Sequence, residues 1–213
     1  MTNDVASIVG LAWDFRCCLA VRKVIVVDNN SRDRTMDNAG ATAVAEPRQG
    51  YGSCVYFCFQ EAPARDSEFI VLCEGDRTFR AYDLAKFLAY VRHADFVNDA
   101  LTVECLHASH AQLSTFMYYV KLFVGKLLEA KHLGRSTITD VGTMYKVCRR
   151  DALARLMPHL DRRVNLEFQA HLLDVALQRR CEVVESPITF YPPVGLSKAA
   201  MLTILPPCAL VCA

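Results

Sequence analysis

The sequence has no excess of charge of either sign, because 24 lysines and arginines meet 23 aspartates and glutamates and leave a net charge of +1. A chain without a basic surplus gives no electrostatic reason to bind nucleic acid, so nucleic acid is excluded as its main partner. No apolar run approaches the roughly 20 residues that a membrane-spanning helix needs. Acidic Asp4 also precedes the first apolar stretch, where a signal peptide would carry positive charge.

The ten cysteines include no Cys-x-x-Cys pair, which argues against a zinc ribbon or a disulfide framework. Most of them lie inside apolar periodic stretches and are expected to pack as small core residues: Cys54, Cys58, Cys73 and Cys148. Free thiols in a core are typical of a reducing compartment, so we expect a cytoplasmic protein. Hydrophobic residues make up 53% of the chain, enough for one domain with a substantial core.

Short β-branched runs alternate with segments of helical periodicity along most of the chain. The strands are predicted at residues 24–27, 41–45, 69–76, 95–97, 143–148, 181–185 and 188–191. The helices are predicted at residues 15–21, 32–39, 51–62, 82–91, 113–133, 151–156 and 162–178, with residues 5–13 left undecided between strand and helix. This alternation predicts an α/β fold with a mostly parallel central sheet flanked by helices.

Carboxylates follow two of the predicted strands. Glu74 and Asp76 end the run FIVLCEGD with one glycine between them, and Asp28 ends the run VIVVD. Open α/β sheets bind ligands at the carboxyl ends of their strands, and two hard oxygen ligands suit Mg²⁺ or Mn²⁺ carrying a diphosphate. The alternative is an acidic turn that only keeps the end of the strand hydrated.

Three further features have both a functional and a structural interpretation. The turn from Arg48 through Gly50 precedes a helix and can present N–H groups to an anion, although the pattern is more typical of a simple tight turn. Glu167 and His171 are four residues apart on a predicted helix, which is typical of a surface contact as well as of a ligand pair. The helix at 113–133 has a core stripe of Leu113, Phe116, Met117, Val120, Phe123, Val124, Leu127 and Leu128.

The opposite side of that helix carries Tyr118, Tyr119 and Leu122 beside Lys126 and Glu129. Such a side can rest on a bilayer surface or on a partner helix, or lie buried between two layers.

Four segments together resemble family 2 glycosyltransferases of the GT-A fold. Residues 24–35 (VIVVDNNSRDRT) look like the nucleotide-binding segment of that family, and residues 73–79 (CEGDRTF) resemble its DxD motif. Residues 140–153 (DVGTMYKVCRRDAL) and 181–192 (CEVVESPITFYP) are similar to later segments of the branch that includes dolichol-phosphate mannose synthases. The resemblance covers residues 23–198, between a divergent segment at 1–22 and a short apolar tail at 199–213.

The resemblance implies inverting transfer of a sugar from a nucleotide-sugar donor, with Mg²⁺ or Mn²⁺ at the DxD-like site. The acceptor would be a polyprenyl phosphate. The chain would then be a cytoplasmic protein that binds peripherally to the cytosolic membrane face. The implied metal ligands are Glu74 and Asp76, and the implied catalytic residue near the acceptor is Asp140. The implied donor-binding residues are Asp28, Asn30, Arg48, Gly50 and Asp76, and the acceptor-binding candidates are Arg163, Glu167 and Lys198.

The sequence departs from this family at its start, because residues 1–22 contain no strand ending in the Asn-Glu loop that grips the nucleobase. The first strand of the fold is therefore expected to be missing or altered. Two other functions stay open at this point: a catalytically inactive nucleotide- or partner-binding module, and a sugar nucleotidyltransferase. Against the latter, no glycine- and lysine-rich phosphate loop follows the first predicted strand.

Overall fold

Seven short strands form one sheet in the computed structural model, which describes residues 3–29, 41–62, 67–100, 115–165, 167–191 and 208–212. The strands are β1 (Lys23–Asp28), β2 (Thr42–Ala45), β3 (Phe69–Glu74), β4 (Phe96–Asp99), β5 (Lys146–Arg149), β6 (Val183–Ser186) and β7 (Cys208–Cys212). Their order across the sheet is β2-β1-β7-β3-β5-β4-β6. The described helices are α1 (Asn3–Arg16), α2 (Tyr51–Glu61), α3 (Leu84–Val91), α4 (Thr115–Lys131), α5 (Arg150–Leu156) and α6 (Phe168–Gln178).

The sheet is mixed, although five of its strands point the same way. Strands β1 and β2 pair in parallel, as do β4 and β6, whereas β5 and β7 run antiparallel to both of their neighbours. The expected α/β fold is therefore confirmed, with a mixed sheet in which four of the six strand pairs are antiparallel. The two reversed strands lie inside the sheet, so they convert most of the strand contacts into antiparallel ones.

Side chains from alternate strand positions enter two separate cores, one on each face of the sheet. Ile25, Val27, Ile70 and Leu72 pack under α2, α5 and α6 on one face. Val24, Val71, Val97 and Val147 pack under α1 and α3 on the other face. This two-faced burial explains why the strands are continuously apolar, since neither side of them meets water. The four cysteines expected in the core are buried, as is Cys181.

The segments before β1 and near the end of the chain, which were predicted as a divergent start and an apolar tail, both pack on or in the sheet. Residues 3–16 form α1, which buries Leu11, Ala12 and Phe15 against the sheet. Within the described residues no strand precedes β1, and β7 fills the position between β1 and β3. Part of the predicted apolar tail is thus a central strand of the sheet.

Some predicted helix boundaries require correction. Residues 162–165 and 167 are not helical, because α6 begins at Phe168. Residues 188–191 form only an isolated bridge at Phe190, so the last predicted strand is wrong. The predicted helix at 32–39 lies outside the described residues. None of the described helices is long and apolar enough to cross a bilayer.

The core stripe predicted for α4 is also partly wrong. Phe123 and Leu127 are 63% and 53% exposed, and only Val124 and Leu128 of the described stripe pack partly against the core. Besides these two residues, the helix contacts the rest of the chain along a seam of Lys121, Gly125 and Glu129, which are spaced four residues apart. Apolar periodicity therefore identifies Val124 and Leu128 correctly, but it cannot identify a seam of lysine, glycine and glutamate.

Candidate functional site

Carboxylates from three strands and one loop meet at the same edge of the sheet. Because β1, β3 and β4 run in the same direction, Asp28, Glu74 and Asp99 all stand at their carboxyl ends. Strand β5 runs the opposite way, so Asp140, a few residues before it, reaches the same edge. The expected shared edge for Asp28 and Glu74 is therefore present in the fold.

Glu74 and Asp76 lie at and just beyond the end of β3. The strand ends at Glu74, and Gly75 and Asp76 form a turn instead of continuing the extended backbone. Asp76 Oδ1 accepts the Thr78 N–H at 2.9 Å, whereas the Glu74 carboxylate has no hydrogen-bond partner within the described chain. The protein removes most of the water around Glu74, and this burial, with the nearby charges of Asp76 and Asp99, raises its pKa to about 8.

Asp140 is fully buried and has a partner for each of its oxygens. Lys121 on α4 donates to Oδ2 at 3.0 Å, and the Gly142 N–H donates to Oδ1 at 2.8 Å. The side chain of Lys121 is 17% exposed, so this ion pair joins the buried Asp140 to a cation that reaches the surface of the site.

A second lysine lies beneath the site in the middle of the sheet. Lys146 is 1% exposed, and its ammonium group donates to Asn98 Oδ1 and to the Thr143 carbonyl. Its Nζ atom is 3.7 Å from Asp99, whose oxygens have no hydrogen bond of ordinary geometry. Burial raises the pKa of Asp99 to about 6, against the opposing effect of Lys146.

Glu185 at the end of β6 closes this network from the side. It accepts hydrogen bonds from the N–H and the hydroxyl of Thr139, and from the side chain of Asn98. Asn98 in turn donates to the Asp140 carbonyl at 2.8 Å. The backbone around Asp140 is therefore anchored to two strands, which fixes the position of its carboxylate.

Sequence reasoning missed Lys121, Asp99 and Lys146. The available signals were a polar Asn-Asp pair directly after a predicted strand, and a lysine inside the otherwise apolar run TMYKVC. A charged residue at an interior strand position is costly to bury unless it is paired, so it points to a partner nearby. Lys121 gave no such signal, because surface lysines are common on helices.

The turn before α2 does not form the expected anion cradle. The Gly50 N–H donates to Asn29 Oδ1 at 3.1 Å, and the Tyr51 N–H donates to Asn165 Oδ1 at 2.7 Å. The Arg48 N–H is bound by Glu46, so these three N–H groups are used inside the protein. Gly50 has a φ of 135°, a conformation that explains the glycine by backbone geometry alone. That Arg48 and Gly50 contact the nucleotide-sugar donor stays a prediction, and free N–H groups in this turn do not support it.

The predicted acceptor residues are dispersed. Arg163 is 86% exposed in a loop and forms an ion pair with Asp161, 2.9 Å from Nη2 to Oδ2. Glu167 is exposed at the start of α6, and its backbone carbonyl, not its carboxylate, binds the His171 N–H. The His171 ring accepts the Asp161 N–H at 3.1 Å, so the expected Glu167–His171 side-chain pair is replaced by a loop contact. Asn30 and Lys198 lie outside the described residues.

The edge offers two carboxylates to a divalent metal. Within the described ranges no group of three or more His, Cys, Asp or Glu side chains is arranged to hold a metal. Mg²⁺ is commonly held by one or two carboxylates, with substrate phosphates and water completing its shell. An unpartnered Glu74 beside Asp76 fits that kind of site, in which the protein supplies only part of the ligands.

Comparisons with known proteins agree with this architecture. No family model matches the chain. It is 32% identical over 179 residues to the uncharacterized glycosyltransferase Rv0539 of Mycobacterium tuberculosis, covering 81% of this chain and 75% of that protein. The uncharacterized glycosyltransferase Mb0553 of Mycobacterium bovis matches to the same extent. Protein RfbJ of Shigella flexneri is 30% identical over 82 residues, 37% of this chain and 61% of its own length.

Solved structures show the same fold at low sequence identity. Glucosyl-3-phosphoglycerate synthase from M. tuberculosis, in complex with phosphoglyceric acid, superposes with a TM-score of 0.63 at 13% identity, covering 93% of this chain and 71% of that one. A mycobacterial protein superposes with a TM-score of 0.67 over 94% of this chain and 66% of its own. The same synthase has also been crystallised with Mn²⁺, UDP and phosphoglyceric acid.

These findings first define the class: an α/β domain with the GT-A fold of glycosyltransferases. The relationship to the mycobacterial proteins, at 32% identity over three quarters of their length, then defines the family. The chain belongs to the glycosyltransferases, enzymes that transfer sugars.

Proposed function

We propose that this chain transfers a sugar from a nucleoside diphosphate sugar to an acceptor, with inversion, at the carboxyl edge of the sheet. The observation that carries the proposal is the Glu74–Asp76 pair on the same edge as Asp28, in which the Glu74 carboxylate has no hydrogen-bond partner among the described residues. The four sequence segments that resemble family 2 enzymes support the same assignment.

The donor would lie across the ends of β1 and β3. Asp28 would contact the nucleoside, and the diphosphate would reach the turn at Asp76. The structural neighbour that binds UDP and Mn²⁺ supports this class of donor. Asn30 belongs to the same donor segment of the resemblance and is proposed as a further contact.

A divalent ion, Mg²⁺ or Mn²⁺, would be held by Glu74 and Asp76. When bound, it would offset the charge that develops on the departing diphosphate. The residues of the chain then have to orient the sugar and exclude water from it. The anchored loop around Asp140, tied to Glu185 and Asn98, is suited to that work because it cannot shift independently of two strands.

For the acceptor we propose a polyprenyl phosphate presented at the cytosolic membrane face. A strip of apolar side chains on α4 is exposed, consisting of Tyr119, Val120, Phe123 and Leu127. It lies on the helix whose other side brings Lys121 to the site, so a lipid chain along the strip would place its phosphate near the edge. A phosphate is already ionised at neutral pH, so this acceptor needs no general base.

A phosphorylated hydroxy acid is the second candidate acceptor, because the neighbouring synthase binds phosphoglyceric acid. Transfer to a hydroxyl group does require a base, and Asp140 is the candidate for it. The two acceptors are thus separated by their need for Asp140. Arg163, Glu167 and Lys198 are proposed to contact the acceptor in either case.

The test is a panel of UDP- and GDP-sugars with Mn²⁺, offered with polyprenyl phosphate in vesicles or with 3-phosphoglycerate. We expect release of nucleoside diphosphate and a glycosylated lipid. Release of pyrophosphate would identify a nucleotidyltransferase, and silence in every combination would identify a binding module.

The lipid part has its own control. Phe123→Asp is expected to reduce both flotation with anionic vesicles and transfer to lipid. Leu19→Asp, at a fully exposed position outside the strip, is expected to change neither. Equal flotation of the wild type and both variants would remove the membrane claim.

A further inference from the structure

We propose that Lys121 is a residue of the donor site, whose ammonium group binds the diphosphate and stabilises it as it departs, with Asp140 as its positioning residue. The inference rests on the proposed function, since it assigns a role within that same reaction. It gives the edge a built-in cation beside the two carboxylates.

The contacts of Lys121 leave it free to bind a ligand. An ammonium group has three N–H donors, and Asp140 Oδ2, at 3.0 Å, is the acceptor that the described chain supplies. The lysine side chain is 17% exposed while the Asp140 side chain is 0% exposed. The lysine side chain therefore keeps contact with solvent, from which an anionic ligand would arrive, whereas its partner has none.

The position of Lys121 relative to Glu74 supports a diphosphate as that ligand. Strand β5 pairs with β3 so that Lys146 lies opposite Leu72, and the segment that runs from Asp140 into β5 therefore lies beside the Glu74 end of β3. Lys121 is held to that segment by its 3.0 Å ion pair with Asp140. A diphosphate bound at the Glu74–Asp76 turn would meet a cation on the neighbouring segment.

The other lysine at the site cannot take this role. Lys146 is 1% exposed, and it already donates to the Asn98 side chain and the Thr143 carbonyl. Its charge balances Asp99 inside the sheet. Within the described ranges, Lys121 is the lysine that joins the buried carboxylates to the surface of the site.

Helix α4 is held in a way that fixes Lys121. A Cβ atom at Gly125 would lie 2.6 Å from the Ile138 carbonyl oxygen, so glycine is what permits the helix to approach this segment. One turn further, Glu129 Oε2 accepts the Ile138 N–H at 3.4 Å. These two contacts hold α4 against residues 138–142. Lys121, one turn before Gly125, is therefore positioned next to Asp140. Electrostatic stabilisation is strongest when charges are set in place before the reaction in this way.

The chemistry balances without any proton transfer from the lysine. The bond between the anomeric carbon and the diphosphate oxygen breaks, and its electron pair stays on that oxygen. An oxygen of the acceptor phosphate forms the new bond from the opposite face of the sugar. Lys121 keeps its three protons throughout and donates hydrogen bonds to the departing diphosphate.

The competing interpretation is an ion pair that serves only to neutralise buried Asp140. Removing Lys121 would then destabilise the fold and leave the chemistry of the folded fraction unchanged. The double variant Lys121→Met with Asp140→Asn separates the two roles, because it removes both charges and leaves none of the pair buried alone. A merely structural pair predicts that the double variant regains the wild-type affinity for diphosphate.

The decisive experiment is calorimetric binding of UDP and GDP, with uridine and guanosine as probes without phosphate. Lys121→Met is expected to weaken binding of the preferred diphosphate about 10- to 100-fold and to leave nucleoside binding unchanged. Lys121→Arg is expected to recover part of the loss. Lys131→Met is the matched control, since it removes a Lys–Asp pair of 2.8 Å on the same helix, with Asp174 as the partner.

Diphosphate affinity in Lys121→Met or in the double variant equal to that of Lys131→Met would overturn the inference. If Lys121→Met does not fold, the double variant and Lys121→Arg decide the matter by the same comparison. Failure of the proposed function has a different signature, because the wild type itself would then bind no diphosphate and release none.

Discussion

Two acidic groups at the carboxyl edge are balanced in opposite ways. Asp140 is fully buried, yet its pair with Lys121 and the Gly142 N–H satisfies both of its oxygens. Glu74 is less enclosed but has no partner within the described chain, and its pKa is raised to about 8. The folded protein thus supplies its own cation at one carboxylate, and we propose that a metal matches the other.

The largest expected effect comes from a substitution at the proposed metal site, the Glu74–Asp76 pair. Asp76→Asn should reduce metal-dependent release of nucleoside diphosphate by about 100-fold or more, because it removes half of the protein's proposed metal ligands. The change lies in a turn beyond the strand, so the unfolding temperature should stay near that of the wild type. Undiminished metal-dependent turnover in Asp76→Asn would reject the assignment of the site.

The Lys121–Asp140 ion pair can be disturbed without changing either charge by a substitution at Gly125. Gly125→Ala places a Cβ atom 2.6 Å from a backbone oxygen, which should cost about 1–3 kcal/mol of unfolding free energy and shift Lys121. Gly142→Ala is the control, since its Cβ atom would meet the nearest atom at an ordinary 3.5 Å. Chemical denaturation that shows equal losses for the two variants would contradict the close helix approach.

A pH titration of the metal-free protein sharpens the contrast further. A carboxyl with a raised pKa binds its proton more tightly in the folded than in the unfolded chain, so it stabilises the fold at acidic pH. For Glu74 this contribution is complete below about pH 4.5 and is lost as the pH rises through about 8. We expect the unfolding temperature to fall between pH 5 and pH 8, and to fall less in Glu74→Gln. Parallel pH profiles for the two proteins would show that Glu74 is not the group responsible.

The smallest effect is expected at the exposed Arg163. Its ion pair with Asp161 is open to solvent, so Arg163→Ala should leave the unfolding temperature unchanged within error. If the residue contacts the acceptor, the KM for a phosphorylated acceptor should rise a few-fold with kcat unaltered. An unchanged KM would remove Arg163 from the acceptor site.

The acidic edge could be predicted from sequence because it follows from strong local signals. Apolar β-branched runs that end in Asp28 and in Glu74 are interpretable without any knowledge of neighbouring strands. Once those runs alternate with helices, their carboxyl ends are expected on one edge. The family resemblance predicted Asp140 near the acceptor, which stays a prediction, and in the fold Asp140 lies at the same edge as Glu74.

The charge balance of the same edge could not be predicted. Lys121 reaches Asp140 through a helix seam that contains lysine, glycine and glutamate, whereas apolar periodicity points to Phe123 and Leu127. Strand β7 was equally hidden, because its partners are 181–189 residues away in β1 and 134–142 residues away in β3. Both features depend on long-range contacts that no local window contains.

The central claim is that a divalent ion held at Glu74 and Asp76 joins the nucleotide to the protein. Calorimetric titration of the wild-type chain with UDP and GDP, each with and without Mn²⁺, tests it most directly. The account predicts binding of at least one nucleotide that is strengthened at least about 10-fold by Mn²⁺. Binding of equal strength with and without the metal, or no binding in any combination, would contradict it.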